Sequence, residues 1–179
     1  MRNTANSRSW PARLVDGYIA ACRRIPEDLI QLLARISVAA TFWLSGQTKV
    51  EGFVLDPIGL QAQFGWPHLS DSAVELFRSE YALPLLPPEL AATMAATAEH
   101  VFPLLLLVGL GTRLSATALL GMTLIIEIFV YPGAWPTHGL WAAVMLYLIA
   151  HGAGRFSIDR LVAGRGAGAD RPRLAAATR

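Results

Sequence analysis

The chain has 179 residues, of which 54% are hydrophobic and 16% charged, with a formal net charge of +2 and a mean hydropathy of +0.42. So few charges among so many apolar residues exclude an ordinary soluble domain and point to a single small membrane domain. The one cysteine, Cys22, cannot close an intramolecular disulfide, which excludes membrane thiol oxidoreductases that need paired thiols.

Residues 1–25 carry Arg2, Arg8, Arg13, Arg23 and Arg24 but no continuous apolar run, so no secretory signal is expected there. Trp10, Leu14, Tyr18 and Ile19 set among these arginines fit either a basic amphipathic helix on the cytoplasmic membrane surface or a disordered basic tail. Pro26, Glu27 and Asp28 then suit the first turn of a helix, where a missing N–H is harmless and negative charge meets the positive dipole end. Four apolar runs follow, at 29–49, 88–110, 112–131 and 137–152. Each reaches or approaches the roughly 20 residues that cross about 30 Å of hydrocarbon, the fourth being the shortest. Within the first, Ser37, Thr41, Ser45 and Thr48 recur at helical spacing as a polar seam.

Between the first two runs, residues 50–87 hold Arg78 as the only lysine or arginine against Glu51, Asp56, Asp71, Glu75 and Glu80. Ser72 and Glu75 have capping-box spacing, which predicts a short amphipathic helix over 72–83. Arg113 lies in a tight glycine turn between the second and third runs, the loop 132–136 is uncharged, and arginines recur from Arg155 onward. Basic residues mark the cytoplasmic side, so both termini are expected inside, with 50–87 and 132–136 outside a bacterial inner membrane. The closing stretch 163–179, rich in Gly, Ala and Arg, lacks apolar periodicity and reads as a disordered cytoplasmic tail able to touch anionic lipid.

Ionisable groups at bilayer depth are the candidate site. Glu99 and His100 stand side by side in the second run, four and three residues before Pro103, whose ring frees the Glu99 carbonyl and predicts a kink. Counting about 1.5 Å per residue from the cytoplasmic ends puts Arg35 roughly 9 Å deep, Glu99 and His100 roughly 15 Å, and Glu127 and His138 roughly 22 Å. That counting predicts an inner pair, Arg35 with Glu99, and an outer group of Glu127, His138, Gln47 and Lys49. The candidate catalytic residues are Glu99, His100 and Glu127, which could exchange protons with a quinone; Arg35, Gln47, Lys49 and His138 are candidates for holding a cofactor. Plain helix glue is the competing explanation, since such contacts are each worth under about 1 kcal/mol. A haem would need two histidines facing one iron, but His138 and His151 fall on nearly opposite faces about 20 Å apart along the helix. The His and Glu residues show no diagnostic metal spacing, and the basic residues sit in tails rather than on a nucleic-acid face.

Four runs of this kind predict an all-α integral membrane four-helix bundle with an external loop carrying a short amphipathic helix. The early Arg35, the run Ser45-Gly46-Gln47-Thr48-Lys49, the pair Glu99-His100, and the closing Gly154-Arg155-Phe156-Ser157-Ile158-Asp159-Arg160-Leu161 together resemble the DoxX family of small bacterial membrane proteins. The resemblance covers about residues 29–162, its closing run being the most specific part, and Gly152-Ala153-Gly154 stands where relatives often have Gly-Pro-Gly. It implies a transmembrane domain over 26–162 between tails at 1–25 and 163–179. It also implies a membrane subunit of a quinone-linked redox or oxidative-stress system, because the family takes its name from a subunit of a thiosulfate:quinone oxidoreductase. Quinone is then the cofactor class, and a partner protein would carry the electron-carrying centre, with self-association a further option. A non-catalytic accessory or transport component for a small solute or metal ion is the alternative.

Overall fold

The computed structural model describes residues 10–169, so Arg2, Arg8 and the segment 170–179 lie outside the described residues. Helix α1 (Trp10–Cys22) buries none of its residues. Four long helices follow: α2 (Glu27–Gln47), α4 (Pro88–Val108), α5 (Thr112–Phe129) and α6 (Trp135–His151). Helix α2 packs on α4 and α6, and α5 packs on the same two, so the four close on one another. Three of them, α2, α4 and α5, are long and apolar enough to cross a membrane, whereas α6 has 17 residues.

The shared core is built from small and branched residues. Ala34, Val38, Ala39 and Phe42 of α2 meet Leu106, Ala116, Leu119, Met145 and Leu148. Alanines let helix backbones approach closely, which is how helices gain packing where lipid supplies no hydrophobic drive. Helix α4 continues through Pro103 to Val108, with Pro103 buried. The polar seam does not act as one unit: Thr41 and Thr48 bond the carbonyls of Ser37 and Ser45 on their own helix, and only Ser45 reaches across to α4.

The segment after α2 holds two small antiparallel strand pairs that hydrophobic periodicity did not reveal, because their strands are only two or three residues long. Strand β1 (Val50–Glu51) pairs with β4 (His68–Leu69), and β2 (Val54–Asp56) pairs with β3 (Gln61–Gln63). Helix α3 (Asp71–Leu76) then runs into a π-helical turn (Phe77–Tyr81). Its cap is Ser70, whose side chain accepts the Ala73 N–H at 3.1 Å; Ser72, the expected cap, instead donates to Ser70 Oγ. Phe77 buries itself against Ala91 and Ala92 of α4, which roofs that end of the molecule.

The opposite end is organised by Arg35, whose side chain is the largest of the fully buried ones at 1% exposure. A helix leaves its last four carbonyls without partners, and a guanidinium carries five N–H donors. Arg35 joins the two needs. It donates to the carbonyls of Leu106 and Leu107 at the end of α4, and to those of Ala153 and Phe156 beyond α6, at 2.7–2.8 Å. Gly109 ends α4 in a left-handed conformation, φ +70°, and any side chain there would meet Arg35 and Ser157 below 3.0 Å. Helix α7 (Ile158–Ala169) completes this clasp, with Asp159 accepting the N–H groups of Gly111 and Thr112 at the start of α5. Helix α7 runs past Ala163, where disorder was expected to begin, and residues 170–179 of that expected tail lie outside the described residues.

Arg35→Met should therefore be severely destabilising, by about 3 kcal/mol or more, because four carbonyls, two of them in fully buried contacts, lose charged donors at once. Thermal unfolding in detergent, with Arg160→Met as the exposed control, checks this. A loss no larger than the control's would mean that the clasp holds without its guanidinium.

Candidate functional site

The C-terminal end of α2 meets the middle of α4 at Gly46. A Cβ on that residue would lie 2.9 Å from the His100 ring and 3.0 Å from Glu99 Cβ, so only glycine lets the two helices approach this closely. The register that follows pairs Glu99 with Lys49 rather than Arg35. Lys49 Nζ lies 2.7 Å from Glu99 Oε2, and the two side chains are only 5% and 4% exposed. Ser45 Oγ donates to Glu99 Oε1 at 3.0 Å, and Lys49 folds back onto the Ser45 carbonyl and hydroxyl, each at 3.2 Å. The expected Arg35–Glu99 pair is thus corrected. In an antiparallel pair aligned at Gly46, Arg35 comes level with the end of α4, where the carbonyls of Leu106 and Leu107 take its N–H groups in place of a carboxylate several residues away.

His100 belongs to a different circuit on the other flank of α4. Gln47 Oε1 accepts the Leu55 N–H at 2.6 Å, which turns the amide nitrogen toward His100 Nε2 at 2.8 Å. The other ring nitrogen, Nδ1, lies 2.7 Å from the Ala96 carbonyl, which can only accept. Nδ1 therefore carries the hydrogen and Nε2 is the acceptor. Trp43 packs edge-on against the ring at 5.0 Å and donates to the Leu55 carbonyl at 2.7 Å, so β2 is pinned over this flank. His100 faces a separate recess with Trp43, Phe53, His68 and Thr97, while Glu99 does not line it.

Glu127 and His138 come together as expected, at 2.6 Å, joining α5 to α6, with the Trp141 ring 5.2 Å from the imidazole. They are not joined there by Gln47 or Lys49, so the expected outer group divides into three places. Among the described residues no set of three or more His, Cys, Asp and Glu gathers as metal ligands would.

Glu99 and Lys49 open onto a cavity of about 360 Å³ between α4 and α5. Met94, Ala95 and Ala98 of α4 form one wall, Ala118, Gly121, Met122, Ile125 and Ile126 of α5 the other, and Phe77, Tyr81, Leu83 and Leu86 the roof. The size falls at the lower end of ordinary small-molecule sites. Two contacts hold the roof down: Arg78 bonds Glu89 at the start of α4 at 2.7 Å, and Tyr131, just past α5, donates to Glu80. Burial first, and then the nearby Glu99 carboxylate, hold the Tyr81 phenol above its ordinary range, so it stays protonated. The stretch 72–83, expected as a short helix, supplies Phe77, Tyr81 and Leu83 of the roof, whereas Gly46 entered the sequence reading only as a member of the run 45–49 and not as a packing contact. A glycine inside a helical pattern between Ser45 and Gln47 was the available signal for close approach.

A helical chain with three membrane-length helices and buried ionisable groups between them is a membrane protein. The family model for DoxX matches residues 30–132, more than half of the chain, and the chain belongs to the DoxX family. That match takes in Arg35, Gln47, Lys49, Glu99, His100 and Glu127 but stops before His138 and before the closing run that seemed most specific. No curated protein and no solved structure matches the chain.

Lys49→Met and Glu99→Gln should each destabilise by roughly 3 kcal/mol, and the double change by less than their sum, because each single change strands a buried partner. Arg35→Met combined with Glu99→Gln should be additive. Thermal melts of all five variants decide it: additivity within the Lys49–Glu99 pair would remove the ion pair from the site.

Proposed function

We propose that this DoxX protein is the membrane component of a quinone-linked redox system, and that the cavity between α4 and α5 receives the ring of the quinone. The observation that carries this reading is the pairing of an otherwise apolar cavity with a buried Lys49–Glu99 pair at its wall. A quinone ring needs apolar walls, and its redox chemistry needs a titratable group beside it. A metal ion or polar solute would find too few polar partners in the same space, which weighs against the transport alternative.

In this reading Glu99 and Lys49 are the groups that exchange protons with the ring, and Arg35 is a positioning residue for α4. His100, with both ring nitrogens engaged, holds the other flank of α4 together with Gln47, while Glu127 and His138 tie α5 to α6. Electrons come from a partner protein, since a chain with one cysteine carries no haem or iron–sulfur cysteine motif of its own. The domain at 26–162 sits in the cytoplasmic membrane, with α6 as a fourth, short span and α1 lying along the cytoplasmic surface. Its 17 residues rise about 25 Å, which local thinning or the flanking Trp135 can accommodate.

Two measurements test the proposal. Organic extracts of protein purified from its native membrane should contain quinone in near-stoichiometric amount, and Gly121→Leu, which points new bulk into the cavity from an open position, should reduce it about tenfold. Wild-type protein that carries lipid but no quinone would count against the reading. For topology, Cys22 and an engineered Gln63→Cys, both exposed, report on opposite sides. In intact cells stripped of the outer membrane, an impermeant thiol reagent should label the Gln63→Cys site alone; labelling of Cys22 instead inverts the orientation.

A further inference from the structure

The cavity that ends at Lys49 and Glu99 has two sides on which it could open: outward through its roof, or sideways between α4 and α5. The roof is held. Phe77 is only 3% exposed and packs on Ala91 and Ala92 of α4. Arg78 bonds Glu89 at the start of α4, and Glu80 accepts the Tyr131 hydroxyl just past α5. The roof is thus tied to both of the helices whose gap it covers.

The side is open. Successive residues on a helix point about 100° apart, so positions two apart point nearly opposite ways. Ala92, Ala96 and Glu99 belong to the buried stripe of α4. Met94, two residues from each of those alanines, is turned away from the stripe and is 55% exposed. On α5, Thr123 is buried, and Gly121 and Ile125 stand two residues to either side of it. Ile125 is 47% exposed, and a Cβ on Gly121 would meet nothing within 4 Å. Met94, Gly121 and Ile125 nevertheless all line the cavity. On helices that cross a bilayer an exposed apolar side chain faces lipid. The same residues therefore border both the cavity and the acyl chains, and the cavity runs from an apolar mouth inward to a buried ion pair.

We infer that the cavity opens to the bilayer between Met94 and Ile125 and takes its ligand sideways, the ring lying at Lys49 and Glu99 while an apolar tail stays among the acyl chains. This rests on the quinone-linked reading and narrows the ligand to a membrane-dissolved quinone with a long tail. Volume argues the same way. About 360 Å³ accommodates a ring but not a polyisoprenoid chain, so the tail needs an exit, and the seam is the apolar one. A sideways path keeps the tail out of water throughout, whereas a path through the roof would expose all of it. Met94 and Met122, unbranched and flexible, can swing aside at the mouth as a ring passes. Ions and hydrophilic solutes are excluded by the same mouth, because the hydrocarbon in front of it does not dissolve them.

The test uses the full-length protein in lipid nanodiscs and has two arms. In the first, Cys22→Ser removes the native thiol and a nitroxide is placed on Ala98→Cys in the cavity wall, on Ile125→Cys at the mouth, or on Gln63→Cys as the exposed control. Collisions are measured with molecular oxygen, which concentrates in hydrocarbon, and with a water-soluble nickel chelate. The oxygen-to-nickel ratio at Ala98 and Ile125 should exceed that at Gln63 by roughly tenfold. A ratio at Ala98 like the control's overturns the inference, because the cavity would then open to water. In the second arm, decylbenzoquinone and the same ring carrying a long polyisoprenoid tail are bound to the wild-type protein, with affinity expressed per mole of lipid. The two should agree within about threefold, since the extra tail stays in lipid before and after binding. Binding of the short-tailed quinone alone overturns the sideways opening and leaves the quinone-linked role standing. Binding of neither overturns that role and the choice of ligand with it, and the nitroxide at Ala98 then decides by itself whether the cavity opens to lipid.

Discussion

A guanidinium removed from water needs a partner for nearly every N–H, and Arg35 finds them in the backbone rather than in a carboxylate. That choice decides much of the architecture. Carbonyls at the end of α4 and in the turn after α6 can be served by one side chain only if both ends arrive at the same level of α2. The glycine at 109 and the turn through Gly152 and Gly154 are the backbone's side of the same constraint, all three with φ near +70° to +80°. Asp159, reaching from α7 to the first N–H groups of α5, closes the remaining helix end with the opposite charge, as the positive end of a helix dipole favours. Helix ends that face a membrane boundary are thereby satisfied within the protein.

The second buried cation, Lys49 just past the end of α2, is solved differently, and the difference bears on function. Lys49 meets a carboxylate in a dry setting, an arrangement whose desolvation cost can cancel its attraction. Two packed apolar side chains would join α2 to α4 equally well. What they could not supply is a charge at the wall of a cavity, and the cavity exists because alanines and Gly121 line facing stretches of α4 and α5 while aromatic side chains close the top.

Helix positions were legible in the sequence, because long apolar runs are strong signals in a chain of this composition. The site's pairing was not. Counting depth from each helix end assumes that the ends are level, but register here is set by one glycine contact, and an error of a few residues sends Glu99 to the wrong cation. Ser72 and Ser70 show the same limit on a smaller scale: spacing identifies a helix start, while the backbone decides which serine turns inward. The strand pairs beside β2 left no periodic trace, yet they place Leu55 where its N–H orients Gln47 and, through it, the His100 ring.

Glu99 and His100, adjacent in sequence, consequently do separate things. Successive residues on a helix point about 100° apart, and at this position that angle straddles the seam between α2 and α4. The imidazole faces outward to the strand pairs, with both nitrogens saturated by local acceptors and donors, and it gains rigidity at the expense of free valence. The carboxylate faces inward at the cavity wall, with Oε2 held in ionic contact with Lys49 at 2.7 Å. Of two neighbouring groups that look equally fit for proton chemistry, only the carboxylate lines the cavity between α4 and α5, and Lys49 holds it there.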